Sequence, residues 1–237
     1  MNVQSKVFVV TGGGNGIGRE LVLLLLRKGA RVAAVDINEN ALLETAGLAG
    51  SHKDRLSTHV MNITDRTAVE ALPVAVLAAH PVVDGLINCA GIIQRFVKFQ
   101  ALEYAEIDRV IDVNLYGTLY MTKVFLPHLM DRPEANITNV SSMGGFLPVP
   151  GQLIYGASKA AVKLFTEGLH SEMAGTNIHV TIVFPGAIAT NIAQNSGAHV
   201  QTGGNRPQKT MKTTPADAAA AVIVQGIERN SYRVLAG

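Results

Sequence analysis

An alternation constrains this chain more than any other feature. Seven short apolar runs, Lys6–Thr11, Arg31–Val35, Leu56–Met61, Val83–Asn88, Asn136–Val140, His179–Phe184 and Tyr232–Leu235, are separated by longer stretches of helical periodicity. Several runs are apolar at consecutive positions, the pattern of strands covered on both faces, as in a parallel sheet. The segments between them, Ile17–Lys28, Asn40–Leu48, Arg66–Ala79, Tyr104–Met130, Gly156–Ala174 and Pro215–Glu228, read as helices. Strand and helix in repeated alternation predict an α/β fold, a doubly wound parallel sheet with helices on both faces. No Pro/Gly/Ser-rich linker divides the 237 residues, so a single domain over 1–237 is expected. The rhythm breaks once, between Asn191 and Thr214, where apolar residues are few. A stretch of that length predicts a substrate lid at about residues 190–214, with a plain surface loop as the alternative.

Composition narrows the function classes. Hydrophobic residues at 48% and charged residues at 16% exclude a disordered chain. Twenty basic against eighteen acidic residues leave a net charge of +2, without the basic clustering that nucleic-acid binding needs. Cys89 is the one cysteine, so no internal disulfide forms, which suits a reducing compartment. Apolar runs such as Leu21–Leu26 are too short to span a bilayer, and no signal-peptide pattern is expected. A cytoplasmic protein is expected. The seven histidines lack metal-ligand spacing, so no metal site is expected.

Two clusters carry chemistry. The first strand runs into Thr11-Gly12-Gly13-Gly14-Asn15-Gly16-Ile17-Gly18 and then a Leu-rich helix. Glycines there let the backbone turn and let a pyrophosphate approach, and the helix N-terminus offers free N–H groups to it. The second strand ends at Asp36, 18 residues past Gly18, where a carboxylate can accept from ribose hydroxyls and repel a 2′-phosphate. Asp36 thus favours NAD over NADP; a helix N-cap is its structural alternative. No Lys or Arg occupies Gly13–Gly16, and Arg19, one residue past the loop, reads as a solvated charge.

Tyr155 and Lys159 are four residues apart, one turn on the same helix face. A nearby ammonium stabilises a phenolate, so Lys159 is expected to lower the pKa of Tyr155 and suit it to acid/base work. Ser142 follows the strand ending in Asn139-Val140, and Asn88-Cys89-Ala90-Gly91 ends another. Both lie where α/β folds bind ligands. Asn114 interrupts an apolar helix, where an amide needs partners. Met143–Val149 and Ile92–Phe96 follow strand ends and suggest a mostly apolar pocket. Cys89 reads as buried and inert.

Taken in order, these motifs resemble the short-chain dehydrogenase/reductase family, in its common single-domain branch. The resemblance covers nearly the whole chain and implies a seven-stranded Rossmann fold. It implies catalytic roles for Asn114, Ser142, Tyr155 and Lys159: a water-holding amide, a substrate-oxygen donor, the acid/base, and a lysine that also binds the nicotinamide ribose. It places Gly12, Asn15, Gly16, Ile17, Gly18 and Asp36 at the cofactor, with Asn62 and Ile63 near the adenine. Asn88, Ala90, Gly91, Tyr155 and Lys159 fall near the nicotinamide side, as do Pro185, Gly186, Ile188 and Thr190. Cysteine at position 89 departs from the family's second asparagine, and Asn62 stands where an acidic residue is often found. The implied activity is hydride transfer between NAD and a secondary alcohol or ketone, expected to be hydrophobic (steroid-like or acyl). Alternatives are an NADP-linked 3-oxoacyl reductase and a non-catalytic NAD-sensing regulator. The apolar helices Tyr104–Met130 and Gly156–Ala174 suggest, with the family's habit, a homotetramer or homodimer.

Overall fold

A computed structural model describes residues 1–198 and 213–237. The chain runs β1 (Val7–Thr11), α1 (Gly16–Arg27), β2 (Arg31–Asp36), α2 (Glu39–Leu48), β3 (Leu56–Val60), α3 (Arg66–Ala79) and β4 (Gly85–Asn88). It continues through α4 (Tyr104–Ile111), α5 (Gly117–Met130), β5 (Ala135–Val140), α6 (Leu153–Glu172) and β6 (Ile178–Pro185). It ends with β7 (Ile188–Ala189), the helical turn α7 (Ile192–Asn195), β8 (Thr214–Pro215), α8 (Ala216–Glu228) and β9 (Arg233–Ala236). Seven strands form one parallel sheet in the order β3-β2-β1-β4-β5-β6-β9. The seven sequence-predicted strands are these seven. β4 begins two residues later than predicted, and just before it the Asp84 carboxylate accepts from the Val7 N–H at 2.9 Å.

Continuous burial of β1, β4 and β5 explains their unbroken apolar runs, since helices cover both faces. One core joins β1 and β2 to α1 and α8 through Val10, Leu21, Leu25, Ile223 and Ile227. The other joins the opposite face to α3 and α5 through Val69, Leu72, Met121, Phe125 and Leu129. From β1 the order runs outward to β2 and β3 on one side and to β4 on the other. That reversal opens a crevice beyond the C-terminal ends of β1 and β4, the usual ligand position in such sheets.

Two expectations need correction. The predicted helix Tyr104–Met130 is broken by a π-helical turn at Asp112–Tyr116, closed by the Gly117 N–H on the Asp112 carbonyl. The wider turn admits one extra residue per ring and leaves Asn114 wholly buried. The predicted structureless stretch instead opens with α7 and closes with β8, which pairs with β7. The lid reading for 199–212 lies outside the described residues. Among the described residues no helix is long and apolar enough to cross a membrane.

Candidate active site

The glycine loop leaves β1 and enters α1. Gly12 (φ +72°) and Gly16 (φ +51°) occupy the left-handed region that favours glycine. A Cβ on Gly18 would stand 2.1 Å from the Gly12 carbonyl oxygen, a backbone atom that cannot yield. Asn15 caps α1 by accepting from the Gly16 N–H at 2.7 Å. Ile17 packs at the edge of the adjoining core. Thr190 closes the loop's other side, its methyl 3.2 Å from where a Gly16 Cβ would be.

Asp36, at the end of β2, accepts from Gly14 N and Asn38 N, both at 3.0 Å. The cap of α2 is Asn38, which accepts from Ala41 N at 3.0 Å, so the N-cap alternative for Asp36 does not hold. Arg19 is not a solvated charge. Its Nε donates to the Gly14 carbonyl at 2.9 Å and to Thr45 Oγ1 at 3.2 Å, and it pairs with Glu44. Thr45 donates to the Gly13 carbonyl at 3.0 Å. Residues 26 or more positions downstream of Gly18 thus brace the loop from behind. No local signal marks Thr45, a polar residue buried beside Leu42 on the inward face of α2.

Asn62 accepts from Thr64 N and Thr64 Oγ1 at 3.0 Å, so its amide nitrogen is the group left to face a ligand. Ile63 turns its side chain into the core, against Gly117. Across the crevice, Thr11 Oγ1 accepts from Cys89 N at 3.0 Å and Ala90 N at 3.1 Å, welding the ends of β1 and β4. A Cβ on Gly12 would lie 3.0 Å from Ala90 Cα. Asn88 donates to Thr122 Oγ1 and Asn139 Oδ1. Cys89 is half-buried, and desolvation pushes its thiol up to about 12, which disfavours the thiolate. Gly186 N donates to the Ala236 carbonyl at 3.0 Å, tying the Pro185–Gly186 turn to β9, and Ile188 leads β7 away from it.

Ser142, Tyr155 and Lys159 converge at the end of β5. Lys159 Nζ donates to the Val140 carbonyl at 2.9 Å. It lies 3.1 Å from where a Gly91 Cβ would stand, and Asn114 Oδ1 lies 3.3 Å from the same point. Ser142 Oγ and the Tyr155 ring are each 3.3 Å from the corresponding point on Gly144. One further expectation is corrected here. Burial, as the larger effect, raises the pKa of Tyr155, and a hydrogen bond with Ser142 offsets part of this; Lys159 is not among the causes. Lys159 is itself desolvated, its pKa brought down to about 8. Its ammonium donates to the Val140 carbonyl, so that hydrogen bond offsets part of the desolvation of the charged form. The Asn114 side chain is held within the protein. Oδ1 accepts from Ile92 N at 2.8 Å, and Nδ2 donates to the Ile92 carbonyl and to Ser158 Oγ, each at 2.9 Å.

Beyond Ser142, a cleft of about 200 Å³ is lined by Gly144, Phe146, Pro148, Val149, Leu153 and their neighbours. Phe146, Leu147, Val149 and Leu153 are exposed there. Gln152, in the cleft wall, was missed by the sequence reading, which named Gln94 only within the pocket segment Ile92–Phe96. Both are buried, a burial that glutamine's usual exposure does not announce.

The residues present fit a dinucleotide. Glycines stand where side chains would fill the cradle, a helix N-terminus opens onto it, and a carboxylate ends the neighbouring strand. Comparison with known proteins gives the same result. The short chain dehydrogenase family profile matches residues 6–201. SadH of Mycobacterium tuberculosis, an oxidoreductase by name, is 36% identical over 99% of this chain and 87% of its own length. The 3-oxoacyl-[acyl-carrier-protein] reductase FabG of Thermotoga maritima is 35% identical over 82% of this chain and 78% of its own. A Burkholderia phymatum short chain dehydrogenase/reductase, crystallised with NAD, superposes with a TM-score of 0.90 at 25% identity, covering 100% of this chain and 90% of that one. The glycine cradle, the Ser–Tyr–Lys convergence and these likenesses identify the chain as a member of the short-chain dehydrogenase/reductase family, NAD(P)-dependent oxidoreductases acting on CH–OH groups.

Proposed function

We propose that this protein is an NAD-preferring dehydrogenase or reductase of an apolar secondary alcohol or ketone, with Tyr155 as its acid/base. The observation that carries the reading is the meeting of Ser142, Tyr155 and Lys159 at the end of β5, with Lys159 Nζ facing Gly91 at the end of β4. When bound, the dinucleotide supplies or accepts the hydride. The chain's own residues do the rest. Gly12, Asn15, Gly16, Ile17 and Gly18 form the loop and helix N-terminus that receive the pyrophosphate. Asp36 accepts from ribose hydroxyls; its negative charge and the engagement of Arg19 with Glu44 weigh against a 2′-phosphate. Asn62 faces the adenine. Ala90, Gly91, Pro185, Gly186, Ile188 and Thr190 wall the nicotinamide end.

Burial keeps the phenol protonated in the free protein, so Tyr155 is poised to give its proton to a carbonyl oxygen. Ser142 donates to that same oxygen and stabilises its developing charge. Lys159, near neutrality by desolvation, holds or releases a proton at Nζ close to physiological pH. Asn114 fixes the Ile92 backbone and Ser158, beside the water-holding part expected of it. The exposed apolar rim from Phe146 to Leu153 selects an apolar substrate, steroid-like or acyl. The FabG likeness supports a 3-oxoacyl thioester as a second candidate of the same class. Exposed Tyr116, Met130 and Leu164 on α5, its preceding turn and α6 support assembly into a dimer or tetramer.

The test is an NADH-absorbance screen over secondary alcohols, steroids, ketones and 3-oxoacyl esters, with Tyr155→Phe beside the wild type. Tyr155→Phe is expected to bind NADH normally and lose at least about a hundredfold in kcat. Full turnover by that variant removes Tyr155 from its role; NAD binding with no turnover anywhere on the panel favours a nucleotide-sensing protein instead.

A further inference from the structure

We infer that Gln94 is a positioning residue for Tyr155, acting as a remote cap on the helix that carries it; this rests on the reading of Tyr155 as the acid/base. The first N–H groups of a helix need acceptors from outside it. Gln152, at the N-cap position of α6, gives its helix no side-chain cap bond. Gln94 Oε1 takes that part instead, accepting from Ile154 N at 2.8 Å and Tyr155 N at 3.1 Å. Gln152 reciprocates across the junction, its Nε2 donating to the Gln94 carbonyl at 2.7 Å. The cap therefore comes from 60 residues away in sequence.

The loop that supplies it is held at three successive residues. Ile92 is held through both its N–H and its carbonyl by Asn114, Ile93 donates to Ser196 Oγ at 3.0 Å, and Gln94 grips α6. It begins at Gly91, which faces Lys159. The backbone of Tyr155 is thus referenced directly to the wall of the cofactor crevice. The arrangement carries an unfavourable element. Among the described residues, Gln94 Nε2 and Gln152 Oε1 are buried without partners. Serine or aspartate at position 152 would cap α6 locally without burying two carboxamides. What a local cap would not supply is the tie between the two halves of the site.

The experiment compares Gln94→Met, similar in length but without an acceptor, with Gln94→Glu, which keeps the oxygen. Amide exchange across Leu153–Gly156 needs no substrate and tests the cap itself. Exchange is expected to be faster in Gln94→Met and restored in Gln94→Glu. Turnover of 2-decanone with NADH tests the positioning. Gln94→Met is expected to lose about tenfold to a hundredfold in kcat, the scale of a small misplacement of a reacting group. KM for NADH should stay within about twofold, and Gln94→Glu should recover most of kcat. Unchanged exchange in Gln94→Met overturns the cap. Faster exchange with unchanged kcat, or a loss confined to KM, overturns the positioning role. Full activity of Tyr155→Phe in the same assay would instead overturn the reading of Tyr155, leaving the exchange result to stand or fall separately.

Discussion

Replacing Lys159 by methionine should make the free protein more stable while removing its activity. Lys159 is 4% exposed, and burial lowers its pKa from 10.5 to about 8. A shift of about 2.5 units, at about 1.4 kcal/mol per unit, sets a burial cost on the order of 3 kcal/mol for the charged form. Methionine removes that cost but strands the Val140 carbonyl, which loses a donor worth about 1 kcal/mol. The expected net gain near pH 7 is therefore about 2 kcal/mol. The sign of the pH dependence is fixed. Below pH 8 both folded and unfolded chains hold the proton and the penalty is complete. Between about 8 and 10.5 the unfolded chain binds more protons, so wild-type stability rises with pH. By pH 9.5 the wild type should recover about 2 kcal/mol relative to the variant. Urea melts of both proteins without cofactor, at half-unit steps from pH 6.5 to 9.5, read this directly. A variant no more stable than wild type at pH 7, or a stability gap that does not narrow above pH 8, refutes the desolvation argument.

Other outcomes are expected from the same geometry. Gly18→Ala places a methyl against the Gly12 carbonyl and should cut NADH affinity at least about tenfold by fluorescence titration, with the fold retained by circular dichroism. Asp36→Ala should narrow the preference for NAD over NADP in kcat/KM by at least about tenfold, since it removes the ribose acceptor and the repelling charge together. Asp84→Ala should destabilise the fold by about 2–3 kcal/mol in urea. It leaves Arg132 and the Val7 N–H without their acceptor, although partial exposure of Arg132 and Lys6 softens the loss.

Much of the architecture was legible because it rests on local signals. Runs such as Val7–Val10 and Ile178–Phe184 have to be covered on both faces, whatever covers them. The one misread helix shows the limit. Periodicity across Tyr104–Met130 is continuous in sequence, and nothing local announces that Asn114 will sit in a π turn with its amide on Ile92. Arg19 shows another. One residue past the loop it looks like a solvated charge, and only the folded position of Thr45 and Glu44 makes it a brace. The spacing of Tyr155 and Lys159 was readable, but their protonation was not. Four residues put the two on one helix face, yet the helix does not say that Val140 takes the ammonium.

By itself, the sequence determined the strand–helix rhythm, the glycine cradle with Asp36 after it, and the spacing of Ser142, Tyr155 and Lys159. These depend on backbone geometry and on near neighbours, so residue order carries them. The tertiary structure alone decided which groups are desolvated and which partner each finds: the raised Tyr155, the lowered Lys159, the capping Gln94. Desolvation and hydrogen bonding between distant segments depend on what packs over a group, and that is settled only when the sheet and both helical layers close together.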